Sequence, residues 1–254
     1  MGERQKTLVV NADDFGFTRD VNAGIVEACE RGILRATTLM ANGAAFEDAV
    51  RLARANPGLD VGCHLVLVRG RSVADPERAL PSSVPELIRA MAFRQIGVYE
   101  ELRAQVRRIL EAGLQPTHLD THKHTHLLPP VLEAVARVAS EFGIRWVRQP
   151  LDFPLLRRRF RAVLERHGCR ATDHFAGFRL TGRLRTRELV ALIRQLPDGT
   201  TELMCHPGRC TAELRAAHTR LKESREAELE ALTAPEAREA IAQAGVRLAS
   251  YREL

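Results

Sequence analysis

Apolar positions along this chain fall into two alternating rhythms. Short unbroken apolar or β-branched runs read as buried strands, and stretches with an apolar residue every three or four positions read as helices packed on one face. The first run, Thr7-Leu8-Val9-Val10, leads into Asn11-Ala12-Asp13-Asp14-Phe15-Gly16. Neighbouring strand residues point to opposite faces, so Asp13 and Asp14 can share a site only if the strand has ended and the backbone is turning; Phe15-Gly16 would supply that turn. A helical stripe at Val21, Ile25, Val26 and Cys29 closes at Gly32. A strand over 36–40, a helix over 46–55 stopped before Pro57, and a strand over 59–67 follow. This alternation implies parallel strands joined by right-handed crossovers. Further helices are predicted over 98–112, 130–142, 155–166, 185–196, 221–232 and 235–244, with strands over 116–121, 145–147, 200–205 and 246–250.

With no internal repeat, low-complexity tract or linker, the expectation is one α/β domain over 1–254. Its architecture would be an irregular, TIM-like (β/α) barrel with fewer than eight clean strands, its catalytic groups at the C-terminal strand ends. An excursion over 69–95 directly follows the third strand, so it starts at the barrel mouth. Its apolar residues from 84 to 93 fall at helical spacing, which suits either a helix packed on the barrel or a partly apolar lid.

Composition acts mainly by exclusion. No charged start followed by an apolar core region is present, and no apolar run approaches the roughly 18 residues that span a bilayer, so a soluble, cytoplasmic chain is expected. Five widely spaced cysteines without a C-x-x-C pair suggest reduced, mostly buried thiols. The net charge is +6, but aromatics are only 5% of residues, which argues against a nucleic-acid binder that stacks bases. One basic cluster stands out, Arg157-Arg158-Arg159-Phe160-Arg161, which reads as a solvated helix face or as a contact for an anionic partner.

The candidate chemistry collects at predicted strand ends. Asp13 and Asp14 end the first strand; His64 the third; His118, His122, His124 and His126 crowd Thr117-His-Leu-Asp-Thr-His-Lys-His-Thr-His126; His206 opens His206-Pro207-Gly208. Two adjacent carboxylates can divide metal-assisted hydrolysis, one holding a cation and one taking a proton from water, or can simply cap the next helix. On a strand His118, Asp120 and His122 share a face, so one imidazole could bind a metal while its neighbours orient it. His122, nearest the strand end, with Asp14 and His64 makes a set of two imidazoles and one carboxylate that leaves positions for water and substrate. His206 is the candidate general acid, with a buried structural histidine as the alternative reading.

Asn11-Ala-Asp-Asp-Phe-Gly16, Asn22-x-Gly24-Ile, Thr37-Thr38, Gly62-x-His64, His118-Leu-Asp-x-His122-x-His124-x-His126 and His206-Pro-Gly208 together resemble the YdjC-like carbohydrate deacetylases, in order from residue 7 to about 210. The resemblance implies an irregular (β/α) barrel and one divalent metal ion, magnesium or zinc, on the residues matching Asp14, His64 and His122. It further implies a base matching Asp13, a homodimer, and removal of acetyl from an N-acetylated sugar such as a chitooligosaccharide or an N-acetylglucosaminyl glycoconjugate or glycolipid. Asp120, His118, His124 and His126 are expected to support the ligands or touch substrate. The rival readings are a metal-dependent hydrolase of another bond and a non-catalytic metal- or carbohydrate-binding barrel. Asp13 speaks against the last, since a binder has no use for a spare carboxylate, and no Gly-rich phosphate cradle is present.

Overall fold

The first apolar run becomes the middle of the sheet. In the computed structural model, which describes residues 5–150 and 154–254, β1 (Lys6–Phe15) is buried beyond its first residue. It pairs in parallel with β2 (Ala36–Leu39) on one side and β7 (Gly199–Cys205) on the other. The full parallel order is β5 (Trp146–Val147), β4 (His118–Thr121), β3 (Asp60–Leu65), β2, β1, β7, β6 (His174–Ala176), with β8 (Arg247–Leu248) added to the start of β1. Trp146, at one edge, also bridges Arg170, just ahead of β6 at the other, so the curled sheet nearly closes. This is the irregular α/β barrel expected from the periodicity.

Helices cover the outside: α1 (Arg19–Arg31), α2 (Phe46–Ala55), α3 (Val84–Ala92), α4 (Val98–Glu111), α5 (Pro129–Glu141), α6 (Pro154–Arg166), α7 (Thr186–Arg194), α8 (Ala212–Ala216), α9 (Glu223–Thr233) and α10 (Pro235–Gln243). Their apolar stripes and the outward strand residues form one main cluster running from Leu8 and Ile25 to Leu203 and Leu232. Within the excursion, Arg71 bridges Ala79 antiparallel and α3 buries Leu87 and Ala90, so part of its helical spacing is spent on packing, while Ile88 and Phe93 stay exposed. All five cysteines are free thiols, four of them buried.

Two glycines fix how closely elements approach. A Cβ on Gly24 of α1 would lie 2.4 Å from Gly208 Cα, so α1 rests directly on the backbone after β7. A Cβ on Gly62 would lie 2.7 Å from ring atoms of His118, so β3 and β4 can pair only with glycine there.

The structure corrects the expected end of the first strand. β1 runs through both aspartates, and a register shift against β2 between Ala12 and Phe15 breaks the alternation instead. Short β6 and α8 had no apolar run to announce them; β6 is half-buried at all three residues.

Candidate active site

Adjacent carboxylates reach one site through a bulge. Asp14 has φ 68°, a left-handed conformation that aspartate tolerates better than most residues, and the irregular register there lets both side chains face the barrel mouth. Asn22 of α1 pins the bend: its Oδ1 accepts from Gly16 N at 2.7 Å, while its Nδ2 donates to Ala45 O and Asp48.

Asp14 meets two imidazoles. Its Oδ1 lies 3.3 Å from both His64 Nε2 and His122 Nδ1, which are 3.2 Å apart. Asp14 and His64 are buried and His122 is partly open to the cleft. Metal–ligand bonds of about 2.0–2.2 Å place neighbouring donors roughly 3 Å apart, so this triangle suits one cation. The other nitrogen of His64, Nδ1, lies 2.7 Å from Asp120 Oδ1, and Thr38 Oγ1 donates to Asp120 Oδ2 at 3.0 Å. A neutral His64 therefore keeps its proton on Nδ1 and turns a bare lone pair toward Asp14 and His122, an arrangement that calls for a positive charge between them. Burial lowers the His64 imidazole, but Asp120, Asp14 and Asp13 override it and raise it to about 10, so without a metal a proton fills that role. Asp120 thus serves His64 and not its sequence neighbour His122, which lies beyond the end of β4 at the start of a short 3-10 segment, His122–Leu127.

Arg148, one residue past β5, organises the rest. Its guanidinium holds Asp13 through two bonds of 2.7 and 2.8 Å, reaches Asp120 Oδ2 at 2.8 Å and donates from Nε to Glu202 at 2.7 Å. Burial would raise the Asp13 carboxyl; Arg148, aided by His64 and His206, holds it far below the ordinary range. Asp13, His64 and Asp120 also form a cluster with metal-ligand spacing, but Arg148 already occupies both of its carboxylates. The Asp14, His64 and His122 triangle is the better cation site.

His206 faces Asp13 with Nε2 3.8 Å from Oδ2. Its backbone N donates to Glu228 Oε2 at 2.6 Å, and its Nδ1 lies 4.0 Å from the same oxygen. Glu228 sits on α9 three residues after Arg225, whose Nη2 donates to Asp14 Oδ2 at 2.5 Å. Burial would raise Asp14, yet Arg225 and the two imidazoles keep it well below its usual range. Arg148, Arg225 and Glu228 escaped the sequence reading. The available signal was charge where a core stripe belongs, since Arg225 and Glu228 share a buried face with Leu229 and Leu232.

The remaining histidines divide by depth. His118 lies below the cluster, 2.8 Å from Asn11 and stacked on Tyr251, and burial with Arg148 lowers it well below 6.5. His126 is fully buried against the Arg148 carbonyl and is lowered to about 3. Neither lines the cleft. His124 does, beside Phe178, with its Nδ1 buried and unpartnered among the described residues. The cleft has a volume of about 610 Å³; Asp13, Asp14, His64, His122 and His206 form its floor, and of the excursion only Arg69 and Gly70 reach its wall.

Barrel and site together define a class: a parallel (β/α) barrel carrying a two-histidine, two-aspartate cluster where its strands end. The chain belongs to the YdjC-like protein family, whose model matches residues 7–243. It is 36% identical over 253 residues to a carbohydrate deacetylase of Brevibacillus brevis, covering 97% of this chain and 99% of that one. It is 38% identical over 256 residues to a carbohydrate deacetylase of Geobacillus stearothermophilus, covering 96% of each. Among solved structures, a candidate cellobiose-phosphate cleavage protein of Enterococcus faecalis V583 has the same fold, with a TM-score of 0.83 at 24% identity and 98% of both chains covered.

Proposed function

We propose that this chain is a metal-dependent carbohydrate N-deacetylase that removes acetyl from an N-acetylated sugar, a chitooligosaccharide or an N-acetylglucosaminyl glycoconjugate. Family membership and the activity named for both curated relatives support the reaction class. The observation that carries the reading is the cation-shaped triangle of Asp14, His64 and His122 with a separate carboxylate, Asp13, and a separate imidazole, His206, facing each other across the adjoining floor.

When bound by that triangle, a divalent ion would lower the pKa of water and polarise an acetamide carbonyl. Two imidazoles and one carboxylate suit zinc or another transition ion better than magnesium, which prefers an all-oxygen shell. Asp13 is the general base. Arg148 keeps it ionised and fixed; Oδ1 accepts from both Arg148 and Asn11, whereas Oδ2 accepts from Arg148 alone and retains a lone pair for the proton of the attacking water. His206 delivers a proton to the departing amine nitrogen, which leaves poorly until protonated. Glu228 positions His206, and Arg225 holds Asp14 so that Oδ1 faces the imidazoles.

Acetate release from a panel of N-acetylated sugars and glycoconjugates, with and without chelator, tests this reading. Release should stop with chelator and return with added metal. Asp13→Asn should keep the metal and lose about 10²–10⁴-fold in turnover. No acetate from the metal-loaded protein on any substrate would overturn the assignment, and loss of metal from Asp13→Asn would reverse the roles of the two aspartates.

A further inference from the structure

The basic cluster noted in the sequence takes no part in the cleft chemistry, and it belongs to something larger. Residues 154–187 contain ten arginines, no lysine and two acidic residues, a net charge of +8 in a chain whose total is +6, so the remainder of the protein is slightly acidic. Arg158, Arg159, Arg179, Arg183, Arg185 and Arg187 are all exposed, and none has an ion-pair partner among the described residues. The same stretch exposes large apolar side chains: Leu155 is 63% exposed, Phe178 54% and Leu156 48%.

These residues follow strands at the cleft end of the barrel. They belong to the starts of α6 and α7 and to a short 3-10 turn, Phe178–Leu180, and so follow the C-terminal ends of β5 and β6. The His122–Leu127 segment after β4 ties them to one another. His124 stands 5.2 Å from the Phe178 ring and His126 5.6 Å from Phe160 of α6, and exposed Leu127 ends the segment. On α6, Leu155, Arg158, Arg159 and Ala162 share one exposed face.

We propose that this face docks the protein on an anionic lipid surface. Leucine and phenylalanine side chains at helix starts can enter the headgroup boundary, while the arginines around them pair with lipid phosphates. A second copy of the chain fits poorly, because a two-fold contact would bring these unpaired arginines against one another. Nucleic acid fits poorly too, since the exposed apolar side chains of this face are two leucines and a single ring, Phe178, and successive bases need several rings on which to stack. Phe178 belongs both to this face and to the cleft wall, so a docked protein opens its cleft at headgroup level. The proposal stands independently of the reaction assigned to the cleft.

Flotation with phosphatidylcholine vesicles, pure or containing about one-third phosphatidylglycerol, tests it. Partition should require the anionic lipid and weaken as salt rises. Arg158→Glu with Arg159→Glu should lower partition by at least about tenfold. Leu155→Ser with Leu156→Ser should lower it as well and leave only binding that salt removes completely. Both pairs are exposed, so melting temperatures unchanged from the parent will show that the variants fold. Absence of binding, equal binding to neutral vesicles, or full binding by either folded double variant overturns the proposal. Single-stranded RNA outcompeting the vesicles, or the leucine variant turning a dimer into a monomer with vesicle binding intact, would replace it with a nucleic-acid face or a subunit interface.

Discussion

Arg148 pairs with three carboxylates in the barrel interior, so its removal should be a severe change. One guanidinium compensates Asp13, Asp120 and Glu202, all buried, and the first two touch opposite sides of the active cluster. Arg148→Met would strand three carboxylates in a dry interior and should cost about 3–5 kcal/mol or more, read from urea unfolding at neutral pH. Arg148→Lys keeps the charge but loses the fork that makes two parallel bonds to Asp13, so it should recover part of the stability and little of the turnover. A methionine variant as stable as the parent would mean that these carboxylates are compensated by other groups.

Also at the residue scale, the buried imidazoles set the pH response of the metal-free protein. His118, His124 and His126 are all held neutral by burial, the last down to about 3, so unfolding below their ordinary value of 6.5 takes up protons and stability falls with pH. His64 has the opposite sign. Raised to about 10, it stays protonated in the fold, so its contribution is complete below 6.5 and fades as pH climbs to 10. Three groups act on the acid side and one on the alkaline side, which predicts maximal stability near neutrality and a steeper acid branch. Asp13 and Asp14, both depressed, add to the loss once pH falls below their ordinary value of 3.8. Urea midpoints measured from about pH 5 to 9 would show this asymmetry, and a flat acid branch would mean that the imidazoles are protonated in the fold.

At the scale of elements, the packing of α1 against the turn after β7 carries a prediction. Gly24 and Gly208 touch backbone to backbone, and His206 lies two residues before that contact. Gly24→Ala must push α1 and the turn apart, at about 1–3 kcal/mol for the overpacking. Because the turn holds His206, the loss should fall on kcat more than on KM; unchanged kcat in a folded variant would show that the turn absorbs the methyl group without moving the imidazole. This scale also separates what sequence could reveal from what it could not. Apolar runs and stripes locate β1 to β5, β7, β8 and most helices because burial requires those patterns. The bulge at Asp14 left no such trace, since it exists only relative to β2. Asp14, His64 and His122 could be named from strand ends, but Arg148, Arg225 and Glu228 act through partners 135, 211 and 22 residues away, distances that local patterning does not encode.

At the scale of the whole molecule, the candidate metal triangle joins β1, β3 and the segment after β4, while Asp120 and Arg225 brace it from β4 and α9. A cation there ties together elements that are distant along the chain, so its binding energy should appear in global unfolding and not as local stiffening. Metal at 100 times its dissociation constant would add about 2.7 kcal/mol, which at roughly 2–4 °C per kcal/mol for a chain of this size is a rise in Tm of roughly 5–10 °C. Thermal melts of the stripped protein, titrated separately with zinc and magnesium, should show that rise at far lower zinc than magnesium, given the imidazole donors. Asp14→Ala, His64→Ala and His122→Ala should each abolish the shift. A full shift retained in His122→Ala would move the third ligand to His124, whose buried Nδ1 has no partner among the described residues.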